Sequence, residues 1–293
     1  MNLTNKYKDK AKPYLYILPL FILLTMFYVL PIIMSLILSF TKFNIINTPK
    51  FIGLKNYIKL FSDKTFIASL KNTFLFTLIT VPTQSILALL LANFLVRRKK
   101  SKINEIAKCI IFIPVICSMV LMAIIFRIIL NGDASPLNLI FEFFNINHPN
   151  WLGNPKLVLY TLSFITVYKN IGYFMVIYIS GLMDIPETYY EACKIDGCNK
   201  FKEFIHITVP MLNHINILVL FLGLIWSFQT FDLIYNLTGG GPGNASVTMV
   251  VNIYNVAFKQ FRAGYAMAIG NVLFLIIAFF SILQKRLLKK DEY

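Results

Sequence analysis

Two sets of polar residues stand at helical spacing inside long apolar runs, and they are the residues best suited to hold a small polar ligand. Thr166, Lys169, Asn170 and Tyr173 fall at i, i+3, i+4 and i+7, a single helix face. Gly223, Trp226, Ser227 and Thr230 repeat that spacing. Polar groups inside a membrane are costly, so they turn towards a cavity or a partner helix. Tyr173 and Trp226 offer flat rings of the kind that stack on sugars, and Asn170, Ser227 and Thr230 offer hydrogen-bonding groups. The competing reading is interhelical packing, with Ser, Thr and Gly as small contact residues. Lys169 needs a partner or water, and the sequence names none.

Bond-making chemistry finds no such set. His148, His206 and His214 are isolated, so no metal site is expected. Cys109, Cys117, Cys193 and Cys198 lack paired ligand spacing, and their placement predicts no disulfide. The run GGGPGNAS at Gly239–Ser246 invites comparison with a phosphate-binding loop. No Lys-Ser or Lys-Thr follows its glycines and no strand precedes them, so it reads as a flexible turn.

The elements that must position these residues are membrane spans. Hydrophobic residues make up 57% of the chain and charged residues 14%, with a mean hydropathy of +0.68. That composition excludes an ordinary soluble domain. Six apolar runs are long enough to cross a bilayer, about Tyr14–Phe40, Asn72–Val96, Ala107–Leu130, Leu157–Leu182, Met211–Asn236 and Gly264–Leu283. The expected class is an all-α integral membrane protein. The formal charge of +15 is placed as a topology signal, not as a nucleic-acid surface. Lys6, Lys8, Lys10 and Lys12 precede the first run, Arg97, Arg98, Lys99, Lys100 and Lys102 follow the second, and Lys285, Arg286, Lys289 and Lys290 follow the sixth. This pattern puts both termini inside. One segment resists: Thr41–Lys71 carries Lys42, Lys50, Lys55, Lys59, Lys64 and Lys71 yet falls outside.

Between the fourth and fifth runs lies a polar stretch, Asp184–Pro210, reading DIPETYYEACKIDGCNKFKEFIHITVP. Pro186 suits a helix start, with Glu187 and Glu191 near the positive end of its dipole. Glu187, Glu191 and Lys194 share one exposed face, with Tyr189, Ala192 and Cys193 on the opposite side. Gly197 interrupts as a residue free to take positive φ does at a helix end. A second amphipathic piece follows, with Phe201, Phe204, Ile205 and Thr208 at helical spacing and Pro210 closing it.

The spacing Glu191, Ala192, Gly197, Ile207, Val209, Pro210 resembles the EAA loop of ABC-transporter permeases, with Cys193 in place of the second Ala and Val209 in place of Leu. The wider wording YYEACKIDGCNKFKEFIHITVPML, and FNIINTPKFIGLKNYIKLFSDKTF after the first run, resemble the carbohydrate-uptake branch of binding-protein-dependent importers. The resemblance implies a type I importer permease with six spans and both ends in the cytoplasm. Its segments are a tail at 1–13, a first span and outer segment at 14–71, a core domain at 72–284 and a tail at 285–293. It implies partners: a second permease subunit, a dimer of ATPases that carries the ATP and Mg, an extracellular solute-binding protein, and the bilayer of a bacterial-type plasma or inner membrane. Glu191, Ala192, Cys193, Gly197, Ile207 and Pro210 would couple to the ATPase, and the two polar faces would line the substrate path. No cofactor, no enzymatic activity and no nucleic acid are expected of this chain. Two alternatives stand beside sugar import: an ion-coupled secondary transporter, and an ABC permease for another solute such as glycerol phosphate. Against the first, every span lacks a central Asp or Glu and no inverted repeat is evident.

Overall fold

A computed structural model of the chain describes residues 16–97, 102–130, 135–144 and 149–288. The tail at 1–13, His148 and the basic residues Arg98, Lys99, Lys100, Lys289 and Lys290 lie outside the described residues. Helix α1 (Tyr16–Ser39) widens to a π-turn at Thr25–Val29. Pro31, two residues beyond, cannot donate to the preceding turn, which gives the widening its cause. A short antiparallel ribbon comes next, β1 (Thr41–Lys42) with β2 (Lys50–Phe51), then α2 (Lys55–Leu60). Helix α3 (Lys64–Arg97) starts well before the expected run because Asp63 caps it. Its carboxylate accepts the amides of Thr65 and Phe66 at 2.9 and 3.2 Å.

The chain continues through α4 (Lys102–Ile116), α5 (Met119–Leu130), α6 (Pro136–Phe143) and α7 (Val158–Met183). The polar stretch forms α8 (Glu187–Ile195) and α9 (Lys200–Met211), the latter with a π-turn at Phe204–Thr208. Then come α10 (Asn213–Phe228), α11 (Asp232–Leu237), α12 (Met249–Tyr254) and α13 (Ala263–Leu288). Four of these, α1, α3, α7 and α13, are each long and apolar enough to span a membrane. The expected six is reached when α4 with α5 and α9 with α10 each count as one span bent by 99° and 72°.

Two expected spans are therefore not continuous. The run Ala107–Leu130 breaks at Cys117–Ser118. Pro114 removes a backbone donor just before the break, and Ser118 Oγ accepts the Leu121 amide at 3.2 Å, restarting the helix. The run Met211–Asn236 stops at Phe228 and resumes as α11. Thr230 marks that stop, its hydroxyl donating to the Trp226 carbonyl at 2.9 Å in competition with the helix ladder.

The chain divides into two compact units, Met1–Ser62 with Ile253–Val272, and Asp63–Asn252 with Leu273–Tyr293. In the first, Asn56 is buried and its amide donates to the carbonyls of Ser39 and Thr41 at 2.7 and 2.9 Å, tying α2 to the end of α1. In the second, α3 and α7 pack along their length, α10 lies on α3 and α4 on α7. Ala88 and Ala92 are fully buried, and such small residues let helix backbones approach. One apolar cluster gathers around Phe76, Leu162, Ile165 and Leu233, and a second around Ala92, Phe174, Met175 and Tyr178. The run at Gly239–Ser246 is a closed turn instead of a flexible one. Ser246 is fully buried and bonds Gly241 O, while Asn72 of α3 donates to the carbonyls of Asn244 and Val247.

A close contact between two helices generates a test. A Cβ on Gly172 of α7 would lie 2.5 Å from the carbonyl oxygen of Ile111 in α4, against backbone that cannot step aside. Gly172→Ala should destabilise the purified protein by about 1–3 kcal/mol, seen as a lower thermal midpoint. Gly270→Ala, whose Cβ would meet only Ile253 Cδ1 at 4.0 Å, should be neutral or stabilising.

Candidate functional site

The polar stretch folds as two helices hinged at one residue. Helix α8 ends in a Schellman turn, in which the Cys198 amide donates to Cys193 O at 2.9 Å and the Gly197 amide to Lys194 O at 3.1 Å. Gly197 takes φ +76° with open space around it, so glycine is needed there for conformation, not for room. Asn199 opens α9, its side chain accepting the Lys202 amide at 2.8 Å. The expectation of free thiols is overturned: Cys193 and Cys198 are joined in a disulfide, with Cα atoms 5.3 Å apart. The reversal at Gly197 folds Cys198 back over Cys193, a proximity that sequence spacing did not reveal. Cys109 and Cys117 are free.

The faces of α8 also differ from expectation. Cys193 is buried and Tyr190 half-buried, whereas Tyr189 and Ala192 face outwards. The inward position passes from Tyr189 to Tyr190, whose ring meets the Arg97 guanidinium at the end of α3 and whose hydroxyl lies 3.4 Å from Thr208 Oγ1 of α9. The exposed surface carries Glu187, Glu191, Lys194, Tyr189, Ile195 and Phe201, the last two 86% and 71% exposed. Neither Glu187 nor Glu191 makes an ion pair among the described residues. In α9, Thr208 is buried, Phe204 and Ile207 are half-buried, and Ile205 and Pro210 are exposed. Acidic groups beside large exposed apolar side chains suit a surface awaiting a partner.

The residue that fixes this element was not identified from sequence. Arg97, at the end of α3, reaches Glu203 Oε1 at 2.8 Å, Thr208 Oγ1 at 3.2 Å and Asn93 Oδ1 at 2.6 Å. Its guanidinium also lies 5.3 Å from the centre of the Tyr190 ring. Arg97 therefore holds α8 through Tyr190 and α9 through Glu203 and Thr208. Glu203 is 7% exposed, and Arg97 is the cation that compensates its charge among the described residues. As a run of cations, 97–102 reads as a topology marker, and nothing local separates Arg97 from its neighbours.

The two polar faces converge in part. Tyr173 and Trp226 meet with ring centres 4.9 Å apart, and Trp226 also touches Phe174 at 5.5 Å. Trp226 stays 37% exposed and Tyr173 is half-buried, so the pair presents an aromatic edge. The other members turn inwards. Ser227 is buried and donates to Thr77 of α3 at 2.9 Å. Gly223 lies against Gln84, whose Nε2 would be 2.7 Å from an added Cβ. Thr166 is buried and bonds its own helix at Leu162 O, Asn170 is buried, and Thr230 is half-buried. Lys169 gains the partner that the sequence could not name, the carbonyl of Val115 at 3.5 Å. That carbonyl is one of the last in α4, where the break leaves acceptors open and the helix dipole is negative. On α3, Thr80 Oγ1 and Gln84 Oε1 are buried with no protein partner. They belong to a buried polar row with Ser69, Thr73 and Thr77 that sequence reading passed over.

The family model described as "Binding-protein-dependent transport system inner membrane component" matches residues 64–290. The "Probable ABC transporter permease protein YurN" of Bacillus subtilis (strain 168) is 32% identical, covering 97% of this chain and 98% of that protein. The "Arabinooligosaccharides transport system permease protein AraP" of the same organism is 33% identical over 96% of this chain and 90% of its own length. A solved bacterial ABC transporter "involved in the import of the acidic polysaccharide alginate" superposes with a TM-score of 0.88 at 19% identity, covering 99% of both chains. That likeness establishes a shared fold, the type I importer permease fold expected from the sequence.

Arg97→Ala removes the counter-charge that a buried carboxylate has among the described residues, a loss worth about 3–5 kcal/mol when complete and less here because Arg97 is partly exposed. Backbone amides of residues 187–208 should exchange with solvent roughly tenfold to a hundredfold faster in this variant. Arg97→Glu combined with Glu203→Arg should recover much of the protection. Unchanged exchange in Arg97→Ala would remove the anchor from the account.

Proposed function

This chain belongs to the family of binding-protein-dependent transport system inner membrane components, and we propose that it is the permease subunit of an ATP-driven sugar importer. The observation that carries the sugar reading is the alignment, over nearly the whole chain, with a relative named for arabinooligosaccharide transport. The subunit sits as a multi-pass protein in a bacterial inner membrane, both ends in the cytoplasm. It pairs with a second permease subunit, two cytoplasmic ATPases that bind the ATP and Mg, and an extracellular binding protein that delivers sugar.

The geometry of the loop supports transport by alternating access. Closure of the ATPases on nucleotide displaces α8 and α9, which enter a cleft with Ile195, Phe201, Glu187 and Glu191 exposed. Two short helices locked at Gly197 transmit displacement better than a flexible connection would. Arg97 passes it to α3, and α3 carries it along the contacts with α7 and α10. The Tyr173–Trp226 pair supplies a stacking surface for a sugar ring. Such a surface tolerates many sugars, because stacking reads the ring face and leaves the hydroxyl pattern to neighbouring groups.

The decisive experiment co-purifies the ATPase with Glu191→Lys and Gly197→Asp and measures hydrolysis with and without sugar-loaded binding protein. Both variants should insert normally. A side chain at Gly197 faces a left-handed backbone at a cost of roughly 1–2 kcal/mol and misdirects α9. Sugar uptake should be abolished in both, and stimulation of hydrolysis lost. Tyr173→Ala with Trp226→Ala should instead impair uptake while leaving basal hydrolysis intact. Wild-type uptake and stimulation in the two loop variants would reduce the loop to a connector.

A further inference from the structure

The lysine-rich segment after α1, which runs against the charge rule for its side of the membrane, is gathered by the fold around one cavity. Its volume is about 640 Å³, within the range of small-ligand pockets. Lys42 of β1, Lys50 of β2, Lys55 and Lys59 of α2, and Arg262 before α13 all line it, and no carboxylate does. The ribbon register sets Lys42 directly opposite Lys50, a like-charge pair that destabilises a ribbon. Below them Tyr265 is buried at 3% exposure, with Arg262 and Lys59 at 4.6 and 5.5 Å from its ring centre. Asn44 and Gln260 add amide groups to the rim. A concave basin with cations on several sides focuses positive potential. An anion seated in the basin would relieve the repulsion among those cations.

We propose that this basin is an anion-binding site for a carboxylate-bearing oligosaccharide, such as a short chain of uronate units. The proposal rests on the sugar-importer reading and on this segment facing outwards. Five cations distributed round the cavity exceed what one carboxylate needs, and they match a ligand with charges repeated along its length. Amides and a tyrosine ring are suited to the sugar body between those charges. The site would hold acidic chains at the outer face by charge, and neutral sugars would pass it unretained. Exposed cations give a site whose affinity falls as salt rises.

The test uses the complete importer in nanodiscs of zwitterionic lipid, with trigalacturonate and maltotriose as ligands. Wild type should bind trigalacturonate, more tightly at low salt, and should not retain maltotriose. Lys42→Gln with Lys50→Gln should weaken trigalacturonate at least tenfold. The thermal midpoint of that variant should be unchanged or higher, because a repulsive pair has gone. Failure of wild type to bind trigalacturonate, or equal binding by the double variant, would overturn the proposal. Loss of binding when phosphatidylglycerol is added to the nanodisc would also overturn it, assigning the basin to lipid phosphate. Uptake measured alongside separates the two levels. A complex that imports neutral sugar but ignores trigalacturonate refutes only the basin, whereas one that imports no sugar refutes the importer reading.

Discussion

One guanidinium joins the longest helix of the bundle to the element that leaves it. Arg97 ends α3 and touches both helices of the loop, through Glu203 and Thr208 on α9 and Tyr190 on α8. A buried ion pair is not in general strongly stabilising, since desolvation offsets much of its attraction. Its value here is in geometry. A planar donor bound in several directions fixes the angle at which α8 and α9 leave the bundle, which an apolar contact of the same area would leave free to slide. The left-handed turn at Gly197 sets the angle between the two helices, and Arg97 sets both relative to α3.

The bundle behind the loop is governed by the demand that every backbone polar group in a bilayer be satisfied by the protein. Long continuous helices meet it directly, and the two bent spans meet it by local devices. Ser118 caps the restart of α5, and Lys169 supplies a cation to the open carbonyl of Val115 at the end of α4. A lysine that looks anomalous within an apolar run thus answers a defect in a neighbouring helix. Among side chains, Thr80 Oγ1 and Gln84 Oε1 of α3 are buried with no protein partner. On the same helix Gln84 lies against Gly223 of α10 and Thr77 accepts from Ser227.

Hydropathy made most of this architecture legible, because an apolar run of sufficient length has few alternatives. The hinge at Gly197 was legible for a similar reason: a glycine between two amphipathic pieces has a narrow set of roles. The polar faces were only half legible. Tyr173 and Trp226 do come together, but Gly223 and Ser227 turn to α3, since a stripe of spacing says nothing about what covers it. The helix breaks at 117–118 and 229–231 were missed because proline and threonine are tolerated inside continuous spans as well. The Arg97–Glu203 pair and the Cys193–Cys198 bridge were out of reach for another reason. Each depends on chain reversal, and neither residue type nor local period encodes the partner.

The central claim is that the loop and the end of α3 move as one body during transport. Spin labels carried by noncanonical residues at Leu90 on α3 and Lys200 on α9 measure this directly, in the complete importer with and without ATP and sugar-loaded binding protein. The account predicts a single narrow distance distribution that stays the same in every state, while labels between the loop and the ATPase report large changes. A distribution between Leu90 and Lys200 that broadens or shifts by several ångströms on nucleotide binding would contradict it.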